Sequence, residues 1–385
     1  MKKKILSILC FITLACLSVF GLTACGEEDK TIFTAENGVI TGLTEYGKTL
    51  TEIVIPESID GVTITTIGDF AFNQMTSVTS ISIPNTVTKI NRYAFCGCSS
   101  LTSIEIPSGV TSIGDFAFTR CDSLNSIVLP KSVVSIGNSA FSSIREITLS
   151  NTDTLCGIQP FTDKLNKVNF IGTIDEWAQS SWGKVLSEIQ LPYEGYDLYI
   201  NGEIVTNLTL TETTEISAYA FYFCRSLNSA TLTNKVKRLG YASFQRCKFL
   251  TSVGLGEGVT SIGEDAFLQC IALESINFPS SITSIDAGAF TQCKSLTSIT
   301  LPNTIKIIRS STFDGCENLK TVTMYNSVKE IGETAFAMCN ALDTIVFIGT
   351  KEDWNSISKG TWWHLNTKPT NVYCDDGLIF VYKEN

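Results

Sequence analysis

The stretch LTSIEIPSGVTSIGDFAFTRC, which runs from Leu101 to Cys121, decides the fold of this chain. A second stretch, LTSVGLGEGVTSIGEDAFLQC, runs from Leu250 to Cys270 and repeats the first with few changes. Phenylalanine returns every 23 residues in two runs, at Phe72, Phe95, Phe118 and Phe141 and again at Phe221, Phe244, Phe267, Phe290, Phe313 and Phe336. A fixed period of this length is typical of a solenoid, in which one coil stacks on the next. The sequence therefore predicts a repeat solenoid whose function depends on its surface.

Each coil can be divided into three parts. The aligned coils read L-x-x-I-x-[IL]-P-x-x-V-x-x-I-G-x-x-A-F-x-x-C-x-S. The first part predicts a short parallel strand that ends at a proline, where a backbone donor would otherwise lack a partner. The V-x-x-I-G part predicts a second short strand or an extended turn. The x-A-F-x-x-C part predicts a helical or 3₁₀ turn that places phenylalanine in the core, so the fold class is an α/β repeat solenoid.

The same elements resemble a known family. The I-P strand end, the I-G-x-x-A-F core and the C-x-S-L junction are similar to the BspA-type, or Treponema-pallidum-type, bacterial leucine-rich repeats. The resemblance covers nearly all of residues 37–354 and recurs in ten phenylalanine-bearing coils. It implies a right-handed leucine-rich repeat coil and a surface-exposed or secreted protein that acts in adhesion. It brings no shared catalytic residues.

The N-terminus is typical of an exported lipoprotein. Three lysines precede an apolar run from Ile5 to Phe20, which is short for a membrane-spanning helix. The run closes with Leu-Thr-Ala and Cys25, which resembles a lipobox. We therefore expect a lipoprotein signal peptide over residues 1–24, lipidation at Cys25 and a tether over residues 25–36. An uncleaved signal anchor is the alternative.

The charge of the chain bears on its partners. Removing residues 1–24 leaves 25 basic and 38 acidic side chains. Nothing basic and clustered remains in the sequence to neutralise phosphates, so nucleic acid is not an expected partner. We expect the mature protein to lie outside the cytoplasmic membrane, held to the bacterial cell surface by its N-terminal lipid.

A longer duplication overlies the repeats. LNKVNFIGTIDEW, from Leu165 to Trp177, matches LDTIVFIGTKEDW, from Leu342 to Trp354, at an offset of 177 residues that is not a multiple of 23. We therefore expect two leucine-rich repeat blocks, at 37–200 and 201–385, each closed by a tryptophan-containing segment. The expected weak joint between them lies from Trp177 to Val205.

Aromatic residues concentrate in the two block ends. All five tryptophans lie there, and such rings either form a platform for a glycan or cover the open end of a coil stack. Trp177 and Trp354 stand where ordinary coils carry isoleucine, which favours a core role for these two. The candidate ligand-binding residues are Trp182, Trp362, Trp363, Tyr193 and Tyr196.

Two further residue types were weighed for chemistry. Eight cysteines share one column of the repeat, where small buried thiols are expected, because side chains that point the same way suit neither a disulfide nor converging metal ligands. His364 is the one histidine, and no nucleophile or orienting carboxylate is placed beside it by the sequence. We expect no catalysis, no cofactor and no metal.

The outward positions of the first strand carry serine and threonine with few charges. Thr79, Ser82, Thr102 and Thr300 are examples. Such a face is explained by solvation alone and also suits binding. The predicted partner is a host or bacterial surface protein, and the alternative is a glycan bound through the aromatic residues of the block ends.

Overall fold

The fold is a stack of about 14 turns with a period of about 23 residues, as the repeat predicts. The computed structural model describes residues 31–189, 191–192 and 194–381, so the predicted signal peptide and Cys25 lie outside the described residues. Each coil contributes a first short strand, and these strands are Glu52–Val54 (β3), Ser80–Ser82 (β7), Ser103–Ile104 (β9), Ser126–Leu129 (β11), Glu146–Leu149 (β13), Lys167–Phe170 (β15), Asp197–Ile200 (β16), Asn207–Leu210 (β18), Ser229–Leu232 (β20), Ser252–Gly254 (β22), Ser275–Asn277 (β24), Ser298–Thr300 (β26), Thr321–Tyr325 (β28), Thr344–Ile348 (β30) and Thr370–Cys374 (β32).

The V-x-x-I-G part forms a second row of parallel strands. Its members pair residue for residue between coils, so that Ile113 lies beside Ile90 on one side and Ile136 on the other. The row consists of Val39–Leu43 (β2), Thr66–Ile67 (β6), Lys89–Ile90 (β8), Ser112–Ile113 (β10), Ser135–Ile136 (β12), Leu155–Cys156 (β14), Glu215–Ile216 (β19), Arg238–Leu239 (β21), Ser261–Ile262 (β23), Ser284–Ile285 (β25), Ile307–Ile308 (β27), Glu330–Ile331 (β29) and Ser358–Lys359 (β31).

The A-F part of each coil is a turn that stacks on its neighbours. Its amides form bonds of 3₁₀ type within the coil, such as Cys98 N–H to the carbonyl of Phe95. Other amides reach the next coil, as Phe95 N–H does to the carbonyl of Ala117. Residues with positive φ interrupt the turn, among them Tyr93 at 56°, and a regular helix is therefore not formed.

The core is a row of stacked phenylalanine rings along the solenoid. Consecutive ring centroids lie 5.0–5.7 Å apart from Phe72 to Phe161 and 5.1–5.5 Å apart from Phe221 to Phe336. Because each coil buries its ring against the rings of both neighbours, no coil has a complete core of its own. This row explains the strict period of phenylalanine in the sequence.

The first coil is covered by a hairpin. Strand Phe33–Glu36 (β1) pairs antiparallel with β2, so residues 33–36 belong to the fold and the expected tether over 25–36 ends before them. A second hairpin, Ser58–Ile59 (β4) with Val62–Thr63 (β5), projects from the following coil. A short 3₁₀ helix, Gly47–Thr49, follows β2.

The joint between the two blocks is filled by two helices, Ile174–Gln179 (α1) and Trp182–Glu188 (α2). Strand β16 then pairs parallel with β15 and forms a hairpin with Glu203–Ile204 (β17). The boundary expected at residue 200 therefore falls inside a hairpin that completes the first block, because the turn that joins its strands is Asn201–Gly202.

The C-terminal segment repeats the design of the joint. Helix Lys351–Ser356 (α3) follows β30, and β32 pairs parallel with β30 and antiparallel with Gly377–Val381 (β33). Helices α1 and α3 both begin with a capping box, on Thr173 with Glu176 and on Thr350 with Asp353. The F-I-G-T-x-x-x-W motif thus marks a helix that closes a block.

Candidate functional site: exposed surfaces of the solenoid

The two block ends place most of the candidate tryptophans and tyrosines in the core. Trp182 is 1% exposed and its Nε1 donates a 2.6 Å hydrogen bond to the carbonyl of Asn151. Trp363 is 5% exposed, and Tyr196 is 0% exposed. The expectation that these three rings form a ligand-binding surface is therefore corrected. Trp182 packs on Phe161 and Trp363 on Phe336, where the rows of phenylalanines end, and Tyr196 pairs with Cys224 beside the cysteine column.

Trp362 is the candidate tryptophan that faces solvent. Its side chain is 51% exposed, and its backbone has a positive φ of 54°. Tyr193 lies outside the described residues. A glycan platform made of several tryptophans is therefore not present in the described part of the C-terminal segment, which offers one exposed indole.

Tyr196 is buried with its hydroxyl in the core. No hydrogen-bond partner for that oxygen lies among the described residues. Burial raises the pKa of this phenol well above its usual range, so it stays neutral. A ligand at the surface does not reach a hydroxyl in this position.

His364 occupies the phenylalanine position of the last coil. The amide of Phe336 donates to the carbonyl of Trp363, as it would to the alanine that precedes phenylalanine in an ordinary coil. The imidazole is 2% exposed and stacks on the Trp363 indole at 4.2 Å. This placement supports the interpretation of His364 as a packing residue rather than a general base.

The cysteine column forms a ladder of thiol hydrogen bonds. Seven of the eight thiols in the column donate to the carbonyl of phenylalanine in the preceding coil, at 3.0–3.2 Å, as Cys270 does to Phe244. The Cys224 thiol instead contacts the Ser226 hydroxyl at 3.4 Å. The described cysteines are free, and those in the column are buried: Cys98, Cys121, Cys224, Cys247, Cys270, Cys293, Cys316 and Cys339. Burial raises the pKa of Cys270, so the thiol is a structural donor and not a nucleophile.

The first-strand face is exposed and hydroxyl-rich, as expected. Thr79, Ser82, Thr102 and Thr300 all face solvent. Part of this hydroxyl capacity is used inside the sheet, because Thr79 Oγ1 donates to the carbonyl of Thr51 in the preceding coil.

An aromatic stripe, made of the exposed Phe70 and the half-buried Tyr93 and Phe116, was not predicted from the sequence. Their rings stack at 4.8 and 4.9 Å with interplanar angles of 11° and 7°, and Phe70 is 51% exposed. All three residues have positive φ, between 55° and 58°, which is costly for a bulky side chain. The sequence signal was the aromatic residue two positions before the core phenylalanine in three successive coils.

No metal centre or membrane span is visible in the described part of the chain. There, no three His, Cys, Asp or Glu side chains come together as metal ligands. No described helix is long and apolar enough to cross a bilayer.

The repeat geometry agrees with what the comparisons with known proteins show. The model of the BspA type leucine rich repeat region matches residues 65–185 and 214–343, in six copies. The chain belongs to the BspA-type leucine-rich repeat family. The matched ranges make up more than half of the chain and include the core phenylalanines from Phe72 to Phe336. The segments outside the matches are the hairpin start, the joint after α2 and the C-terminal cap.

Solved structures share the fold. A leucine-rich repeat protein from Eubacterium ventriosum matches with 21% identity and a TM-score of 0.52, over 90% of this chain and 94% of that one. A leucine-rich repeat protein from Bacteroides ovatus matches with 24% identity and a TM-score of 0.44, over 86% and 98%. A leucine rich cell surface protein from Faecalibacterium prausnitzii matches with 23% identity and a TM-score of 0.37, over 88% and 98%. No curated protein matches the chain.

Proposed function

We propose that this BspA-type chain is a non-catalytic, lipid-anchored surface protein that binds a protein on a host or bacterial cell. The observation that carries the proposal is the partly exposed aromatic stripe of Phe70, Tyr93 and Phe116. Aromatic side chains at the surface are enriched where proteins bind one another. The similar protein from Faecalibacterium prausnitzii is described as a cell surface protein, which fits this location.

The anchor is proposed at Cys25, which the lipobox-like sequence marks. A diacylated cysteine followed by a short polar segment would place the solenoid outside the membrane with its surfaces free to bind. Replacing Cys25 by serine should release the protein from the membrane fraction and abolish lipid labelling. Retention of both properties would rule out this anchor.

The aromatic stripe gives a direct test of binding. Cells that display the full-length chain should adhere to host epithelial cells or to other bacteria. The triple variant Phe70→Ser, Tyr93→Ser and Phe116→Ser should reduce that adhesion at least fivefold. Phe249→Ser is the matched control, because Phe249 is 55% exposed and lies outside the stripe. Equal adhesion by the triple variant and the control would contradict the role of the stripe.

A second candidate function is glycan binding through Trp362. Its exposed indole offers a face on which a sugar ring can stack. Adhesion that is lost with Trp362→Ser and competed by free oligosaccharides would favour this function. Adhesion that is insensitive to both would favour the protein partner.

A further inference from the structure

A groove of about 680 Å³ crosses consecutive coils of the second block, on the side formed by the A-F turns. One row of its lining residues occupies the same repeat position in four coils and has positive φ throughout: Phe223, Arg246, Gln269 and Gln292. A second row lies two residues later in each coil and consists of Lys248, Ile271 and Lys294. The repeat therefore sets the groove's length and the spacing of its side chains.

The groove is basic in an acidic protein. Three of its lining side chains are cationic, and none of the described lining residues is acidic, although the chain carries 38 acidic and 28 basic residues. The guanidinium of Arg246 and the ammonium of Lys248 lie 5.5 and 5.0 Å from the centre of the Phe223 ring. Lys294 is paired at the groove's edge with Glu317, at 2.7 Å, and this exposed pair is weakly held.

The side chains at the bottom of the groove form a chain of hydrogen bonds that leaves a hydrogen-bond donor at its end. Arg246 Nε donates to Gln269 Oε1 at 3.0 Å, and Gln269 Nε2 donates to Gln292 Oε1 at 3.0 Å. Each of the two amide oxygens accepts one bond in this chain, whose last member, Gln292, presents its amide nitrogen as a donor. Amide donors together with cationic side chains suit a carboxylate ligand.

The distance between Lys248 and Lys294 matches the repeat of an extended peptide. Lys248 and Lys294 are separated by two coils, which corresponds to roughly 10 Å at one strand spacing per coil. In a polyproline II helix, residues i and i+3 share a face and lie about 9 Å apart. Ile271 lies between the two lysines and is 39% exposed, so the main chain of the ligand crosses an apolar surface there.

We propose that this groove binds an acidic peptide segment of a partner protein, extended along the solenoid, with carboxylates at every third position. The Phe223 ring is 6% exposed and covered by two cations, so it offers little face on which a neutral sugar can stack. This inference rests on the proposed function, because it names the chemistry of one protein partner. It concerns a surface separate from the aromatic stripe.

A displayed library of random nine-residue peptides, panned against the full chain, tests the assignment. Selected peptides should be enriched in Asp or Glu at positions i and i+3. A labelled peptide from that set should bind more weakly as salt rises, because its contacts are ionic. Replacing its acidic residues by their amides should weaken binding at least tenfold.

Charge reversal in the groove provides the second measurement. Lys248→Glu and Lys294→Glu should each weaken the selected peptide at least tenfold while the thermal midpoint stays unchanged. Lys306→Glu is the matched control, since it makes the same charge change at an exposed position outside the groove. Selection without acidic enrichment, or equal peptide binding by Lys248→Glu and Lys306→Glu, would overturn the proposal.

A binding assay with a polyuronate, which is an acidic polysaccharide, distinguishes an acidic peptide from other anionic ligands. Binding of an acidic polysaccharide that is lost with Lys248→Glu, in the absence of selected acidic peptides, would replace the peptide by a glycan. If the groove variants lost peptide binding but the cells still adhered, the aromatic stripe would be the surface responsible for adhesion. If the stripe variant lost adhesion but still bound the peptide, the groove would be a peptide-binding surface independent of the stripe.

Discussion

Trp177 and Ala220 lie 43 residues apart in the chain, and the indole Nε1 of Trp177 donates a 2.9 Å hydrogen bond to the carbonyl oxygen of Ala220. In ordinary coils, this carbonyl accepts from the backbone amide of phenylalanine in the preceding coil, as the Ala94 carbonyl accepts from Phe72. A side chain thus replaces a backbone donor where the 23-residue period breaks. The two blocks are joined by the same hydrogen-bond ladder that joins neighbouring coils.

Trp177→Phe removes this donor and leaves a buried carbonyl unpaired. We expect the free energy of unfolding to fall by at least about 1–3 kcal/mol, because a lost buried hydrogen bond costs that much and the smaller ring adds a cavity. Urea denaturation measures the change. Trp362→Phe is the control, and it should stay within about 0.5 kcal/mol because Trp362 is exposed. A smaller loss for Trp177→Phe than for Trp362→Phe would show that the bond does not stabilise the joint.

Asp175 holds the first turn of the second block. Its carboxylate accepts from the amides of Thr211, Glu212 and Thr213 and from the Thr213 hydroxyl. Burial alone would raise the pKa of Asp175, but these donors outweigh it and lower the pKa. The stabilisation is therefore present above about pH 4, the unfolded pKa, and is lost as pH falls through the lowered folded pKa.

Asp175→Asn should remove this contribution, at a cost of about 1–2 kcal/mol near pH 7. The variant should lose less stability than the wild type on acidification below pH 4. Unfolding in urea, repeated from pH 7 to pH 3, measures both effects. Glu352→Gln, at the equivalent exposed position of α3, should keep the wild-type unfolding free energy at pH 7. Parallel pH profiles for wild type and Asp175→Asn would contradict the assignment.

The Tyr196 hydroxyl has no hydrogen-bond partner among the described residues. Tyr196→Phe should therefore leave stability unchanged or raise it by up to about 1 kcal/mol, because a buried unpaired hydroxyl is costly. Thermal unfolding measures this effect. A destabilisation above about 1 kcal/mol would show that the hydroxyl has a polar partner. A loss of adhesion without destabilisation would show that Tyr196 takes part in ligand binding.

Phe267 lies in the middle of the row of stacked rings in the second block. Phe267→Ala should cost about 3–5 kcal/mol by opening a cavity. Since each coil packs on its neighbours, hydrogen exchange should also accelerate in the adjacent coils around Phe244 and Phe290. Phe249→Ala, at an exposed position, should stay within about 0.5 kcal/mol. Acceleration confined to one coil would contradict nearest-neighbour coupling.

The thiols of the cysteine ladder should resist alkylation in the folded protein. Native protein should be modified at Cys96 and Cys374, which are partly exposed. Burial raises the pKa of Cys156 to about 12, so Cys156 should react with the ladder on unfolding. Burial raises the pKa of Cys293, so labelling of the ladder should stay slow even at pH 9. Peptide mapping by mass spectrometry identifies the modified residues. Rapid native labelling of Cys293 would contradict its burial.

The sequence predicted the fold because a period of 23 residues has one simple physical explanation. It predicted Phe267 and Cys270 as core residues for the same reason, since both recur in register. It placed Trp182, Trp363 and Tyr196 incorrectly, because an aromatic residue outside the repeat register gives no direction for its ring. It missed Phe70, whose exposure depends on a left-handed backbone position that no single residue type reveals.

The turn position of Phe70 has one more consequence. Hydrogen bonds between coils set its left-handed backbone, so the position accepts residues of quite different chemistry in other coils, namely Tyr93, Phe116, Ser139, Tyr219, Ala242, Asp265, Gly288, Ser311, Thr334 and Trp362. The solenoid fold therefore does not depend on which side chain stands at this turn position. Substitutions at this position, one coil at a time, change the binding specificity of this line of side chains and keep the fold of the solenoid.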